Sequence, residues 1–307
     1  MAARIVSLLL FLLLIAAAGC QWNNEDEGKG SNAAPKTKEK LVIALVPEKN
    51  FFEQRRQYRY IADYLSAKLD RDVEIVIMES YGDISEAFRT GEADAGFFGS
   101  FSYLLTHARA GVIPIARPVW EDGSSTYRGY IFARKDSGIE DAADMRGKKL
   151  VLVDRATTAG YIFPLFYFQY WSVRNMSEFF SQIYFAGSHD AAAWAVYMGE
   201  ADVGAAKSHV FNGLAERYPG FKEQMVTLAE SPEMPSNGLA VRSDLNAALK
   251  LRLRDLLLGL DQSEEGRAVL RHFGALKFIE TSDQDFEALY KMVTALGIDL
   301  ISYPYEN

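Results

Sequence analysis

Short apolar or β-branched runs alternate along the chain with segments of helical spacing. LVIALVP (41–47), VEIVIM (73–78), ADAGFF (93–98), YIFARK (130–135), KLVLVD (149–154) and QIYFAG (182–187) have the length and composition of strands. RQYRYIADYLSAKLD (56–70) and DISEAFRTG (83–91) carry apolar residues three and four apart, the spacing of helices with one buried face. This alternation predicts an α/β protein built on open, largely parallel sheets, with ligand sites at the carboxyl ends of strands. The residues beyond position 40 number about 270, more than one core usually organises, so two lobes are expected.

The first forty residues follow a different pattern. MAARIVSLLLFLLLIAAAG (1–19) has one charge, Arg4, then a leucine-rich run and small residues, the order of a bacterial secretory signal rather than of a structural helix. Its ending, AAAGC, resembles a lipobox, which implies cleavage before Cys20 and acylation of that residue. Cys20 is the only cysteine in the chain, so no intrachain disulfide competes for it. Residues 20–40 are polar after the cysteine and read as a flexible tether.

The pattern also repeats. Residues 91–96 read GEADAG and residues 199–204 read GEADVG, each after a predicted helix and entering a short strand. Tyr81 and His189 each stand ten residues before the first glycine, and Ser100 and Ser208 each stand four after the last. Matching helix-turn-strand units in the two halves place Tyr81 and His189 at equivalent helix starts.

Charge narrows the partners. The full chain has 33 Lys+Arg and 41 Asp+Glu, net −8; without residues 1–19, which contain Arg4 and no acid, the balance is 32 against 41, or −9. An acidic protein is a poor polyelectrolyte partner for nucleic acid. No HExxH, no GxSxG and no catalytic cysteine is present, and His107, His189, His209 and His272 lack short metal-ligand spacing. No enzyme, no cofactor and no metal is expected.

Candidate chemistry centres on DRATTAGYIFP (154–164). A strand running into a Thr/Gly turn and then a helix leaves several backbone N–H groups unpaired and aimed at one point, where an oxyanion fits. Thr157 and Thr158 each offer a hydroxyl and an N–H, and Ala159 and Gly160 offer N–H groups with little obstruction. The helix dipole adds partial positive charge. Pro164 lacks an N–H and predicts a short or kinked first turn. His189 begins a second helix, whose positive end lowers its pKa, and donates in either protonation state. Tyr81 and Tyr127 are the tyrosines best placed to add neutral O–H donors.

These residues resemble the periplasmic phosphonate, phosphite and phosphate binding components of ABC transporters. The resemblance runs from about residue 41 to about residue 280, and rests on SYGDI with Tyr81, FFGSFSY (97–103), Tyr127, DMRGKKLVLVD (144–154), TTAGYIFP and GSHD (187–190). It implies a two-lobed type II periplasmic binding protein fold, with a phosphorus oxyanion held between the lobes by Tyr81, Tyr127, Thr157, Thr158, the Ala159 backbone and His189. Family members commonly carry serine where Ala159 stands. Where aminoethylphosphonate binders place carboxylates, this chain has His209 and Asn237, which implies an amine-free ligand: phosphate, phosphite or a simple alkylphosphonate. Ser100, His209 and Asn237 complete the set of ligand-binding candidates.

The expected organisation is a signal over 1–19, a lipidated Cys20 and tether over 20–40, one lobe of 41–133 plus 239–307, and a second of 134–238. The crossings are expected at YIFARK and at MPSNGLAVR (234–242). The expected partners are a small oxyanion, an ABC permease and ATPase, and the membrane through the lipid, with the protein a monomer at the outer face of the cytoplasmic membrane or in the periplasm. A lipid-tethered sensor subunit, or a sulfonate or other anion binder of the same fold, are the alternatives.

Overall fold

A computed structural model describes residues 38–305; Cys20, the signal and all but the last residues of the tether lie outside the described residues. The strands, in chain order, are β1 (Lys40–Leu45), β2 (Asp72–Ile77), β3 (Ala95–Phe98), β4 (Ile113–Trp120), β5 (Thr126–Tyr127), β6 (Gly129–Arg134), β7 (Lys149–Leu152), β8 (Gln182–Phe185), β9 (Val203–Lys207), β10 (Met225–Glu230), β11 (Met234–Pro235), β12 (Gly238–Val241) and β13 (Ala275–Glu280). They form a six-stranded sheet ordered β13-β4-β12-β3-β1-β2, a five-stranded sheet ordered β10-β6-β9-β7-β8, and a two-stranded ladder of β11 and β5. The expected two-lobed α/β architecture is therefore present.

Within each sheet the βαβ runs pair in parallel, β1 with β2 and β3, and β7 with β8 and β9. The strands nearest the crossings are antiparallel: β12 to β3 and β4, and β6 to β9 and β10. β6 lies wholly in the second sheet, so YIFARK is not a crossing strand as the sequence suggested. The chain passes between sheets on either side of it in sequence, through 121–128 and 231–237, where β5 pairs with β11. An isolated strand would leave backbone donors unpaired, and pairing the two passages with each other satisfies them.

Both faces of the first sheet are covered, which explains why its strands read as continuous apolar runs. In β1, Leu41, Ile43 and Leu45 pack into one cluster with Ile61 and Leu65 of the helix Phe51–Leu69 and with Leu253 and Leu257 near the C-terminus. Ala44 and Val46 point the other way, into a cluster with Ile84, Phe88 and Phe101. The internal echo is structural. Gly91 and Gly199 both take left-handed backbone, φ 78° and 77°. Asp94 accepts from Val42 N at 2.9 Å and Asp202 accepts from Lys149 N at 2.8 Å, so each acid ties its helix-to-strand turn to the strand that opens the parallel run of its own sheet. Among the described residues no helix is long and apolar enough to cross a membrane.

Candidate functional site

The turn after β7 is held by its own residues. Asp154 accepts from Ala156 N at 2.7 Å, and its backbone carbonyl accepts from Thr157 N at 3.1 Å and from Thr157 Oγ1 at 2.6 Å. The Thr157 hydroxyl is thereby used inside the turn. Thr158–Ile162 form a single π-type turn that runs into the α-helix Phe163–Tyr170. Pro164 accounts for this start: it has no N–H to give the Gly160 carbonyl, which instead accepts from Val153 N at 3.2 Å. Gly160 is required there, because a Cβ would come within 2.4 Å of Val153 Cβ and 2.8 Å of Thr157 Oγ1. Ala159 backs onto Gly129 of β6, where a Cβ would sit 3.1 Å from Ala159 Cα.

Three buried side-chain atoms near this turn and its counterparts have no hydrogen-bond partner: Tyr81 Oη, Thr158 Oγ1 and His189 Nε2. Their residues are 2%, 3% and 0% exposed. Tyr81 comes from the first half of the echo and His189 from the second, and their rings meet edge to face with centroids 6.2 Å apart. Buried polar atoms are normally paired, so three orphans contributed by different elements single this place out as the candidate site.

All three are donors. Lys207 N–H donates to His189 Nδ1 at 3.2 Å, so the neutral imidazole carries its proton on Nε2. Burial, then the Lys207 charge, brings the His189 pKa down to about 3, against a smaller upward pull from Glu48. The sequence reading pointed to the helix start as the cause; burial and Lys207 lower the pKa here, and the ring is neutral at ordinary pH. Burial, followed by the Glu48 and Asp154 charges, holds the Tyr81 phenol well above its usual range, so it stays protonated. Neutral donors suit an anion that must also be released, since none carries a full charge to be desolvated.

Tyr127 and Ser100 lie together but are differently engaged. Ser100 Oγ donates to Pro235 O at 2.8 Å, so at the 2.9 Å contact with Tyr127 Oη it is the tyrosine that donates. The Tyr127 oxygen is left as an acceptor, the group needed by an oxyanion that still bears a proton. Burial raises the Tyr127 pKa to about 12, against the hydrogen-bonded Ser100 hydroxyl and the neighbouring Thr158 hydroxyl, which comes near Tyr127 Oη without forming a well-aligned hydrogen bond to it.

Asn237 and His209 occupy a different environment. Asn237 Oδ1 accepts from Lys207 Nζ at 2.6 Å and its Nδ2 donates to Glu48 at 2.7 Å, while Lys207 Nζ is ion-paired with Glu48. Lys207 Nζ also lies 4.7 Å from the Tyr127 ring centroid. The sequence reading, which found no carboxylate at these positions, missed Glu48 and Lys207. Glu48 lies in the loop after β1, far in sequence from the others. Lys207 did leave a signal, as a cation ending the otherwise apolar strand VGAAK. His209 packs edge-on against Trp120 and Tyr127, with centroids 5.8 and 6.1 Å away. It lines a cavity of about 420 Å³ with Glu48, Trp120, Asp122 and Asp190, whose lining includes none of Tyr81, Thr158 or His189. Burial, then Lys207, lowers its pKa to about 4.

A family model described as ABC transporter, phosphonate, periplasmic substrate-binding protein matches residues 43–286. The chain belongs to this family. Among relatives of the family, a phosphate-import protein PhnD of Mycolicibacterium smegmatis is 28% identical over 62% of this chain and 61% of its own length. A phosphonates-binding periplasmic protein of Escherichia coli is 25% identical over 71% of this chain and 65% of its own. The matches thus span somewhat less than two thirds of these relatives. The crystal structure of PhnD1 from Prochlorococcus marinus in complex with methylphosphonate superimposes with a TM-score of 0.75 at 19% identity, covering 84% of this chain and 98% of that one. A binding protein component of an ABC phosphonate transporter from Pseudomonas aeruginosa gives 0.78 at 20% identity, covering 85% and 87%. These likenesses show that the two-lobed fold is shared.

Proposed function

We propose that this chain is the substrate-binding component of an ABC importer that captures phosphate, phosphite or a simple alkylphosphonate between its lobes and delivers it to a membrane permease and ATPase. The observation that carries this reading is the trio of unpartnered buried donors, Tyr81 Oη, Thr158 Oγ1 and His189 Nε2. A tetrahedral oxyanion presents oxygens in several directions, and donors from both sheets can engage it together. The N–H groups at the start of the Thr158 turn add to them. Family membership and the names of the relatives, a phosphate-import protein and a phosphonates-binding protein, support the ligand class.

In this reading the protein works as a monomer and closes about the passages 121–128 and 231–237, excluding water from the anion. Acylation of Cys20 tethers it in the cell envelope. The test is calorimetric titration of the ligand-stripped protein with phosphate, phosphite, methylphosphonate and sulfate. Saturable binding of at least one phosphorus oxyanion, with sulfate much weaker because it has no proton for the Tyr127 oxygen, is expected. Equal binding of sulfate, or no binding of any phosphorus anion by folded protein, would refute it.

A further inference from the structure

The contact between Glu48 and Lys207 is the most buried of the described ion pairs, with side chains 15% and 3% exposed; the next, Arg117–Asp285, stands at 35% for the acid and 13% for the base. It also joins the two sheets. Glu48 follows β1 of the first, Lys207 ends β9 of the second, and Asn237 directly precedes β12 of the first. The ammonium is held on several sides, by Glu48, by Asn237 Oδ1 and by the face of the Tyr127 ring. The two Glu48 oxygens are both engaged, one by Lys207 and the other by Asn237 Nδ2.

This unit adjoins the orphan donors. The Lys207 backbone holds His189 Nδ1, and Tyr127 connects the ammonium to Ser100. Beside the anion site the protein thus keeps one cation with its matched carboxylate, in a region of low dielectric where an unmatched charge is costly. Burial by itself raises the Glu48 pKa, yet the Lys207 contact outweighs it and leaves the carboxyl below its usual value, so Glu48 is a carboxylate.

We infer that Lys207, held between Glu48 and Asn237, is a specificity-determining residue: it provides the site with an internal cation and so excludes phosphorus oxyanions that carry an ammonium of their own. The inference rests on the proposed oxyanion function and goes further by giving the amine-free preference a residue and a cause. A ligand ammonium reaching this region meets a like charge and finds the carboxylate already paired. Removing the Lys207 side chain leaves Glu48 buried and unmatched, a vacancy that a ligand ammonium can fill. Removing the Glu48 charge does the reverse, leaving Lys207 unmatched beside the anion.

The test is calorimetry on the full chain, stripped of ligand by unfolding and refolding, with methylphosphonate and 2-aminoethylphosphonate as probes. The quantity read is the ratio of the two dissociation constants. Wild-type protein should bind methylphosphonate at least tenfold more tightly. Lys207→Ala should move the ratio at least tenfold toward 2-aminoethylphosphonate, and Glu48→Gln should move it the other way; the second variant decides if the first does not fold. Equal binding of both probes by wild-type protein, or an unchanged ratio in a folded variant, would overturn the inference while leaving the oxyanion function intact. Failure of wild-type protein to bind any phosphorus oxyanion would instead overturn the function itself.

Discussion

Tyr81 Oη, Thr158 Oγ1 and His189 Nε2 are unpartnered, and a buried polar atom without a partner costs about 1–3 kcal/mol. Function and stability should therefore separate at these residues. Thr158→Val and Tyr81→Phe remove an orphan hydroxyl with little change of shape. Each should weaken anion binding roughly 10- to 100-fold, from the loss of about 1.5–3 kcal/mol per hydrogen bond to a charged group. Each should also leave the ligand-free melting temperature unchanged or higher, as calorimetry and thermal unfolding will show; a large loss of stability would mean that the hydroxyl already had a structural partner. His189 makes a pH prediction. Its folded pKa of about 3 lies below the ordinary 6.5, so the unfolded chain binds the extra proton between those values. Its contribution is complete above pH 6.5 and is lost as pH falls toward 3, at up to about 1.4 kcal/mol per pH unit. Denaturant titrations of ligand-free protein should show a shallower acid loss in His189→Gln, and identical slopes would contradict the neutral buried ring. The meeting of Tyr81 and His189 was legible because the GEAD echo set them at matching positions. The engagement of Thr157 within its own turn was not, because it depends on a carbonyl three residues back that the sequence does not orient.

The strands and helices that surround the site follow from local pattern, and what escaped were features set by pairing. The echo fixes two matching turns down to the bonds of Asp94 and Asp202 with β1 and β7. YIFARK reads as a strand correctly, but only its ladder with β9 and β10 reveals which sheet owns it. Pro164 announced an irregular helix start, and the π-type turn with the Val153–Gly160 bond is the form it takes. The closest packing in that turn makes Gly160→Ala a severe test, since the added methyl would fall 2.4 Å from Val153. The variant should lose about 1–3 kcal/mol of stability by overpacking and bind the anion more weakly because the N–H groups shift. Unchanged unfolding midpoint and affinity would show that the turn does not need the glycine.

At the scale of the molecule, two sheets are joined by two passages whose strands β5 and β11 form a ladder with each other, and the Glu48–Lys207 contact crosses between the sheets beside them, against Asn237 and the Tyr127 ring. Under the proposed function, the lobes rotate about β5 and β11, with the ion pair and the anion both favouring closure. Small-angle scattering should give a larger radius of gyration for ligand-stripped protein than for protein saturated with methylphosphonate; identical values would remove the hinge. The two-lobed form was legible from length and alternation. The lysine–carboxylate unit was not, because Glu48 and Lys207 are 159 residues apart and only closure of the fold makes one the counter-ion of the other. The most direct test of the whole account is a crystal structure with methylphosphonate bound. Phosphonate oxygens are expected within hydrogen-bond distance of Tyr81 Oη, Thr158 Oγ1 and His189 Nε2, with Lys207 still paired to Glu48. An anion bound instead in the outer cavity beside His209, with those three atoms untouched, would contradict it.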